Sequence, residues 1–354
     1  MKLVEIFENF NTYRSQLYSP YIIAEIGVNH EGSMDRAKRL VDDAKEGGAD
    51  AVKFQSYKAE TLASKNSPSY WDTSKEPTTS QYKLFKKHDS FWEEEMQELK
   101  DYCDMIDIEF MSTPFDIESA NFLNRMMGVY KISSSDLTNK PFIEYLCKFN
   151  KPIILSTGAS ELFEIQEAVS WIEKHGNPLA LLHCVLNYPT PDMSANLGMI
   201  IDLKNKFPGM IIGYSDHTLP KDMKACEIAT LLGSVIIEKH FTDDKNLQGN
   251  DHYHSMDKKD LKLLRSNLQK DFNLLGGFRV ASLKSENSAR LNARRSLVSQ
   301  KFIQKGSVIT SDDLTFKRPA SGISPKYIDQ VIGSMAITNI DKDEQIQWNM
   351  FKPQ

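Results

Sequence analysis

Two lysines stand in short runs where a globular chain normally keeps apolar side chains. Lys53 lies in AVKFQS (51–56) and Lys131 in VYKISSS (129–135). An isolated buried ammonium is costly, so each needs a partner. Hydroxyls supply one kind of partner: Thr113, Ser134, Ser156 and Ser215 fall at the ends of this run or of similar ones. Ammonium charge, directional hydroxyl donors and helix N-termini together make a phosphate site. His217 and His240 end two further runs and can bind one divalent metal between them. Two imidazoles leave coordination positions open for water or a substrate carbonyl, as Lewis-acid catalysis requires. Asp216 and Glu238 are close enough in sequence to add oxygen ligands or outer support. Glu25 ends the first run, and Gln55 sits near the end of the second.

Each residue has a plainer explanation on its own. The lysines can pair with Glu25 or Glu238 as a structural cap, and Ser156-Thr157 can cap a helix. His183 reads as a hydrogen-bonded core histidine. In GNDHYHSMD, His252 and His254 read as surface histidines of a polar loop, with Asp251 as the possible substrate contact. Polar groups at the ends of almost every run, however, are hard to explain by packing alone.

The elements that position these residues are legible as a repeat. Eight short apolar runs occur: YIIAEIG (21–27), AVKFQS (51–56), IEFMSTP (108–114), VYKISSS (129–135), PIILSTG (152–158), LALLHCV (179–185), MIIGYSD (210–216) and SVIIEKHF (234–241). None alternates cleanly, as expected of parallel strands buried on both faces. Amphipathic helical stretches lie between them. SMDRAKRLVDDAKEGG, for example, places Ala37, Leu40, Val41 and Ala44 at helical spacing before a Gly47-Gly48 stop. Repeated strand–helix units imply right-handed parallel crossovers. Eight units in about 250 residues match a closed (β/α)8 TIM barrel, whose chemistry sits where the strands' C-terminal ends converge. A doubly wound open sheet is the alternative, but no GxGxxG follows the first run. The long polar stretch from Tyr57 to Ser90 would lie over the active-site face.

Near residue 280 the pattern changes. The division expected is 1–280 for the barrel, 281–292 for a polar linker, and 293–354 for a small β-rich domain with strand-like pieces SLVSQKFI, VITSDDLTFKRPASG, AITNI and QIQWNM. The net charge of -5 argues against general nucleic-acid binding. Cys103, Cys147, Cys184 and Cys226 form no CxxC pair and read as reduced thiols of a cytoplasmic protein. The N-terminal stretch has no signal-peptide character, and no apolar run approaches the roughly 20 residues needed to cross a membrane.

The segments AEIGVNHEG (24–32), VKFQ (52–55), STPF (112–115), YKISSSD (130–136), ILSTG (154–158), LLHC…NYPTP (181–191), GYSDHT (213–218), EKHFT (238–242) and KRPASGIS (317–324) follow in order along the chain. In these the sequence resembles the sialic acid synthase family, which includes N-acetylneuraminate, legionaminate and pseudaminate synthases. The resemblance implies a TIM barrel followed by an antifreeze-like (SAF) domain. It implies condensation of phosphoenolpyruvate with an N-acylated aldose, such as N-acetylmannosamine or a diacetamido-dideoxy hexose, to give a nine-carbon sugar acid. It further implies phosphoenolpyruvate binding by Lys53, Thr113, Lys131, Ser134, Ser156 and Ser215, and Mn2+ or Mg2+ at His217 and His240. Acceptor contacts would be Gln55, Tyr188, Asp251 and Arg318, the last reaching the other subunit of a domain-swapped homodimer. Leu186 stands where some members carry an acceptor-contacting asparagine, so the acceptor's identity stays open.

The expected mechanism is C–O cleavage, with Glu25 orienting or deprotonating the attacking water. A related synthase with a shorter aldose, a metal-dependent pyruvate aldolase, and a non-catalytic carbohydrate- or ice-binding protein are the rival readings. The last two give no reason to keep both lysines.

Overall fold

The computed structural model describes residues 2–9, 11, 17–249 and 251–352 of the 354-residue chain. Two compact units form, Met1–Gly276 and Gly277–Gln354. In the first, eight parallel strands alternate with helices: β1 (Tyr21–Gly27), β2 (Ala51–Ser56), β3 (Glu109–Pro114), β4 (Tyr130–Ile132), β5 (Ile153–Ser156), β6 (Leu179–Cys184), β7 (Ile211–Asp216) and β8 (Ile236–His240). The hydrogen-bonded order is β3-β2-β1-β8-β7-β6-β5-β4. First and last strands are therefore neighbours, as in a (β/α)8 barrel, and the seam falls between β3 and β4, which run close beside each other. The expected 129–135 run is a strand only at Tyr130–Ile132; Ser134–Asp136 turn into a short 3-10 segment.

Strand pleating gives successive side chains opposite faces. Tyr21, Ile23, Ala51, Met111, Val129, Ile154, Ala180, Leu182, Ile211 and Ile236 fill the inside of the barrel. The N-terminal helix Leu3–Glu8 plugs this core with Leu3 and Ile6, each fully buried. Burial of that kind stabilises by about 1.5–3 kcal/mol per side chain. The intervening residues, among them Ile22, Val52, Phe54, Tyr130 and Ile237, face the helix layer. The helix Met34–Gly47 buries Ala37, Leu40, Val41 and Ala44, as its spacing implies. It is capped by the Ser33 side chain at one end and by left-handed Gly48 (φ 99°) at the other.

The 57–90 stretch is built rather than structureless. It holds the helices Ala59–Leu62 and Gln81–His88 and a bridge pairing Pro68 with Ser80.

The second unit has its own core of Leu297, Ile303, Ile309, Leu314, Ile323, Val331, Ala336, Ile340, Ile346 and Phe351. Two antiparallel pairs organise it: β9 (Ser296–Ser299) with β10 (Leu314–Lys317), and β11 (Met335–Ala336) with β12 (Phe351–Lys352). The strand expected in QIQWNM forms one step later, at Phe351–Lys352. Asn287–Asn292, expected as linker, forms a short helix.

Candidate active site

Continuing the inward alternation of each strand by two residues turns the barrel lining from apolar to polar and charged. Above Ile23 comes Glu25, above Ala51 Lys53, above Val129 Lys131, above Ile154 Ser156, and above Ile236 Glu238. The register places Glu25 beside both Lys53 and His240, and Ser215 beside Glu238. Gly27, at φ 56°, accompanies a register shift after Glu25, and a Cβ there would lie 3.3 Å from the Glu25 carboxylate.

The two lysines are each 3% exposed and share one cluster. Lys53 Nζ donates to Thr113 Oγ1 at 2.8 Å and lies 2.5 Å from Glu25 Oε2. Lys131 Nζ donates to Ser156 Oγ at 2.7 Å and to the Ile132 carbonyl at 3.1 Å. Glu238 stands between them, its carboxylate 3.8 Å from each ammonium and accepting from Ser215 Oγ at 3.0 Å. Ser134 Oγ accepts from the Gly158 amide at 2.9 Å, and Gln55 Nε2 donates to Glu25 Oε1 at 2.9 Å. Of the two places the sequence leaves open for Glu238, beside the histidines or paired with the lysines, the pleat gives the second: it is the shared counter-charge of Lys53 and Lys131.

These environments drive the two carboxyls apart. Burial pushes Glu25 up to about 7, against Lys53, with Glu238 adding to the rise. Burial also opposes charge on Glu238, but Lys131, Lys53 and the Ser215 hydroxyl outweigh it and hold it down at about 2. Lys131 is pushed below the ordinary lysine range, mainly by burial. A carboxyl near neutrality beside one held ionised is the pattern of an acid–base pair with separated roles.

The histidines meet above this cluster, with ring centroids 5.5 Å apart. His217 Nδ1 donates to the Val185 carbonyl at 2.8 Å, which fixes the tautomer and leaves Nε2 as the lone-pair nitrogen. His240 Nδ1 is buried without a hydrogen-bond partner and lies 3.7 Å from Asp251 Oδ2. Burial holds His240 well below the usual histidine range, so it stays neutral, the form that binds metal. A buried orphan nitrogen beside a fixed-tautomer imidazole fits a divalent cation. Among the described residues, no group of three or more His, Cys, Asp or Glu side chains is arranged to hold a metal ion. The Tyr188 ring packs 4.1 Å from that of His217.

Several expectations need correction. Asp216 is not at the mouth. It lies on the other side of β7 from Ser215 and His217, and pairs there with Lys239 Nζ at 2.7 Å and Tyr214 OH at 2.8 Å. Neither Asp216 nor Lys239 can therefore touch a ligand among the strand ends. His252 and His254 are 2% and 0% exposed, not surface residues: the loop after β8 folds inward. His252 shares a hydrogen bond with Thr242 Oγ1, and His254 packs edge-on to His240 with centroids 5.0 Å apart. His183 is the core histidine expected, bonded to the Ala195 carbonyl at 2.8 Å and stacked on Tyr214.

A cavity of about 430 Å³ opens here, lined by Gln55, Tyr188, Asp251 and His240 of the expected set, and by Leu186. Much of the rest of its lining comes from the 57–90 stretch: Tyr70, Trp71, Leu84, Phe85, Lys87 and His88. Sequence reading placed the stretch over this face but singled out none of these residues; its run of aromatics was the available signal. Arg318 lies in the second unit, exposed, just after β10.

Comparison with known proteins gives a consistent result. Residues 40–279 match the NeuB family and residues 294–352 match the SAF domain. N,N'-diacetyllegionaminic acid synthase of Campylobacter jejuni is 40% identical over 92% of this chain and 98% of its own length. The protein of the same name from Legionella pneumophila is 37% identical over 93% of each chain. The crystal structure of N-acetylneuraminic acid synthetase from Leptospira borgpetersenii superposes with a TM-score of 0.68 at 34% identity, covering 77% of this chain and 90% of that one.

Proposed function

The chain belongs to the NeuB family and is an enzyme of the sialic-acid-synthase type, and from that premise we propose that it condenses phosphoenolpyruvate with an N-acylated aldose and water, releasing phosphate and a nine-carbon sugar acid. The observation that carries the reading is the cluster at the strand ends. Two buried lysines, four hydroxyls and two carboxylates adjoin a pair of histidines, one of which, His240, lines a cavity of sugar size.

In this reading Lys53 and Lys131, with Thr113, Ser134, Ser156 and Ser215, hold the phosphate of phosphoenolpyruvate. Gln55, Tyr188 and Asp251 hold the open-chain acceptor, helped by Arg318 of the partner subunit in a homodimer with exchanged small domains. Mn2+ or Mg2+ held by His217 and His240 would polarise the acceptor aldehyde. C3 of phosphoenolpyruvate bonds to the aldehyde carbon, and cationic character develops at C2. The ionised Glu238 beneath stabilises that charge. The ionised form of Glu25, its pKa raised to about 7, takes a proton from the water that adds to C2, and the oxygen of the former aldehyde takes up a proton from solvent to become a hydroxyl. The tetrahedral carbon then expels phosphate by breaking its C2–O bond, leaving the keto acid.

Among acceptors we favour a diacetamido hexose. Two relatives at 40% and 37% identity are named for a diacetylated product. The aromatic side chains of Tyr70, Trp71 and Phe85 in the cavity wall suit a second acetamido methyl. We place the enzyme in the cytoplasm, in keeping with its reduced cysteines and with the absence, among the described residues, of a helix long and apolar enough to cross a membrane.

The test is phosphate release from phosphoenolpyruvate across a panel of N-acyl aldoses, with mass spectrometry of the product. Turnover of the diacetamido acceptor above N-acetylmannosamine supports the assignment. Release with a four- or five-carbon aldose alone would replace it with the shorter-acceptor synthase.

A further inference from the structure

One buried carboxylate lies away from the phosphate and histidine clusters, in the middle of the 57–90 stretch. Glu76 is 1% exposed in a segment that is otherwise polar and largely open. A carboxylate buried in a surface segment is unfavourable unless every oxygen is used. Here both are. Oε1 accepts from the Thr78 amide at 3.0 Å and the Thr78 hydroxyl at 2.6 Å. Oε2 accepts from Lys87 Nζ at 3.1 Å. The first pair closes a tight turn over residues 76–78. The carbonyls of that turn, Glu76 O and Thr78 O, both accept from the Trp71 indole N–H at 3.1 Å. Trp71 and Lys87 line the cavity; Glu76 does not.

We propose that Glu76 is a positioning residue that sets acceptor affinity by locking Trp71 and Lys87 into the cavity wall. The inference rests on the reading of this cavity as the acceptor site. Its logic is that of preorganisation: an indole fixed before the sugar arrives costs no ordering on binding. The same wall is tied to the loop after β8. Lys75 Nζ sits 5.6 Å above the Tyr253 ring, and Tyr253 OH donates to the Tyr188 carbonyl at 3.0 Å.

The experiment compares wild type with Glu76→Gln, which keeps the shape but turns an amide N–H toward Lys87, and with Trp71→Phe, which removes the N–H the turn holds. The Michaelis constant for the acceptor should rise about ten-fold in both variants. The constant for phosphoenolpyruvate should stay within about two-fold. In the NMR spectrum of Glu76→Gln, the Trp71 indole proton, assigned by its loss in Trp71→Phe, should exchange faster. Equal shifts in both Michaelis constants, or none, with the wild type active, would overturn the inference and leave the functional reading standing. A wild type that releases no phosphate with any N-acyl aldose would overturn both.

Discussion

Replacing Lys131 by methionine removes one ammonium from the phosphate cluster while keeping most of the stem's volume, so the effect reads charge rather than a cavity. Lys131 Nζ is 2.7 Å from Ser156 Oγ and 3.8 Å from Glu238. A hydrogen bond from a charged donor to phosphate contributes about 1.5–3 kcal/mol net. The Michaelis constant for phosphoenolpyruvate should therefore rise roughly 10- to 150-fold. Two stability terms oppose each other. The attraction to Glu238 at 3.8 Å amounts to about 4 kcal/mol at an effective dielectric of 20. The cost of burying the lysine, visible as its depressed pKa, is removed with it. Melting temperature should therefore move by only a few degrees. The assay is steady-state phosphate release with each substrate varied against saturation by the other. The acceptor constant should change by less than about three-fold. Equal rises for both substrates, or a rise for the sugar alone, would refute the assignment of this lysine to phosphate.

Three further outcomes follow from the same geometry. Chelation should abolish turnover, and His217→Ala should weaken Mn2+ binding, read by calorimetry, more than about 100-fold; an unaltered isotherm would remove His217 from the site. His30 is 2% exposed and burial, followed by the charges of His88 and Arg36, pushes its pKa down to about 3. The unfolded chain therefore takes up a proton near 6.5 that the folded one refuses. His30's contribution to stability is full above that value and falls with pH, by about 2 kcal/mol between pH 7 and pH 5. His30→Gln should flatten the acid side of the stability profile by that amount in urea melts, and an unchanged slope would show that other groups set it. Mixed dimers of Arg318→Ala with Lys53→Ala should regain activity that neither variant has, and verified heterodimers without activity would confine Arg318 to its own chain or exclude it.

What the sequence revealed depended on how far a residue's place follows from its neighbours. Glu25, Lys53, Lys131, Ser215, Glu238 and His240 lie at or near strand C-termini, and converging strands bring such ends together whatever the details. Which face a residue takes depends on the register of the pleat. Asp216, between Ser215 and His217 in the chain, consequently looked like part of the site while facing Lys239 behind it. His252 and His254 sit in a stretch as polar as any surface loop; only its fold back over β8, where Met256 N bonds to the His240 carbonyl, buries them. The cavity wall was the least legible part. Trp71, Glu76 and Lys87 are joined by a turn and one helix, Gln81–His88, and the contacts among them leave no periodic trace. The small domain's short strands slipped for a related reason: two-residue pairings such as Met335–Ala336 with Phe351–Lys352 are set by tertiary contacts rather than by local pattern.

The central claim is that phosphate held by Lys53 and Lys131 leaves by C–O cleavage after carbon–carbon bond formation with an N-acyl sugar. It is tested most directly with phosphoenolpyruvate carrying oxygen-18 at the bridging position, supplied with the diacetamido acceptor and analysed by mass spectrometry. The account predicts a nine-carbon product free of label and phosphate that carries it, with the product's C2 oxygen drawn from solvent. Label retained in the sugar would mean cleavage on the phosphorus side and would contradict the mechanism.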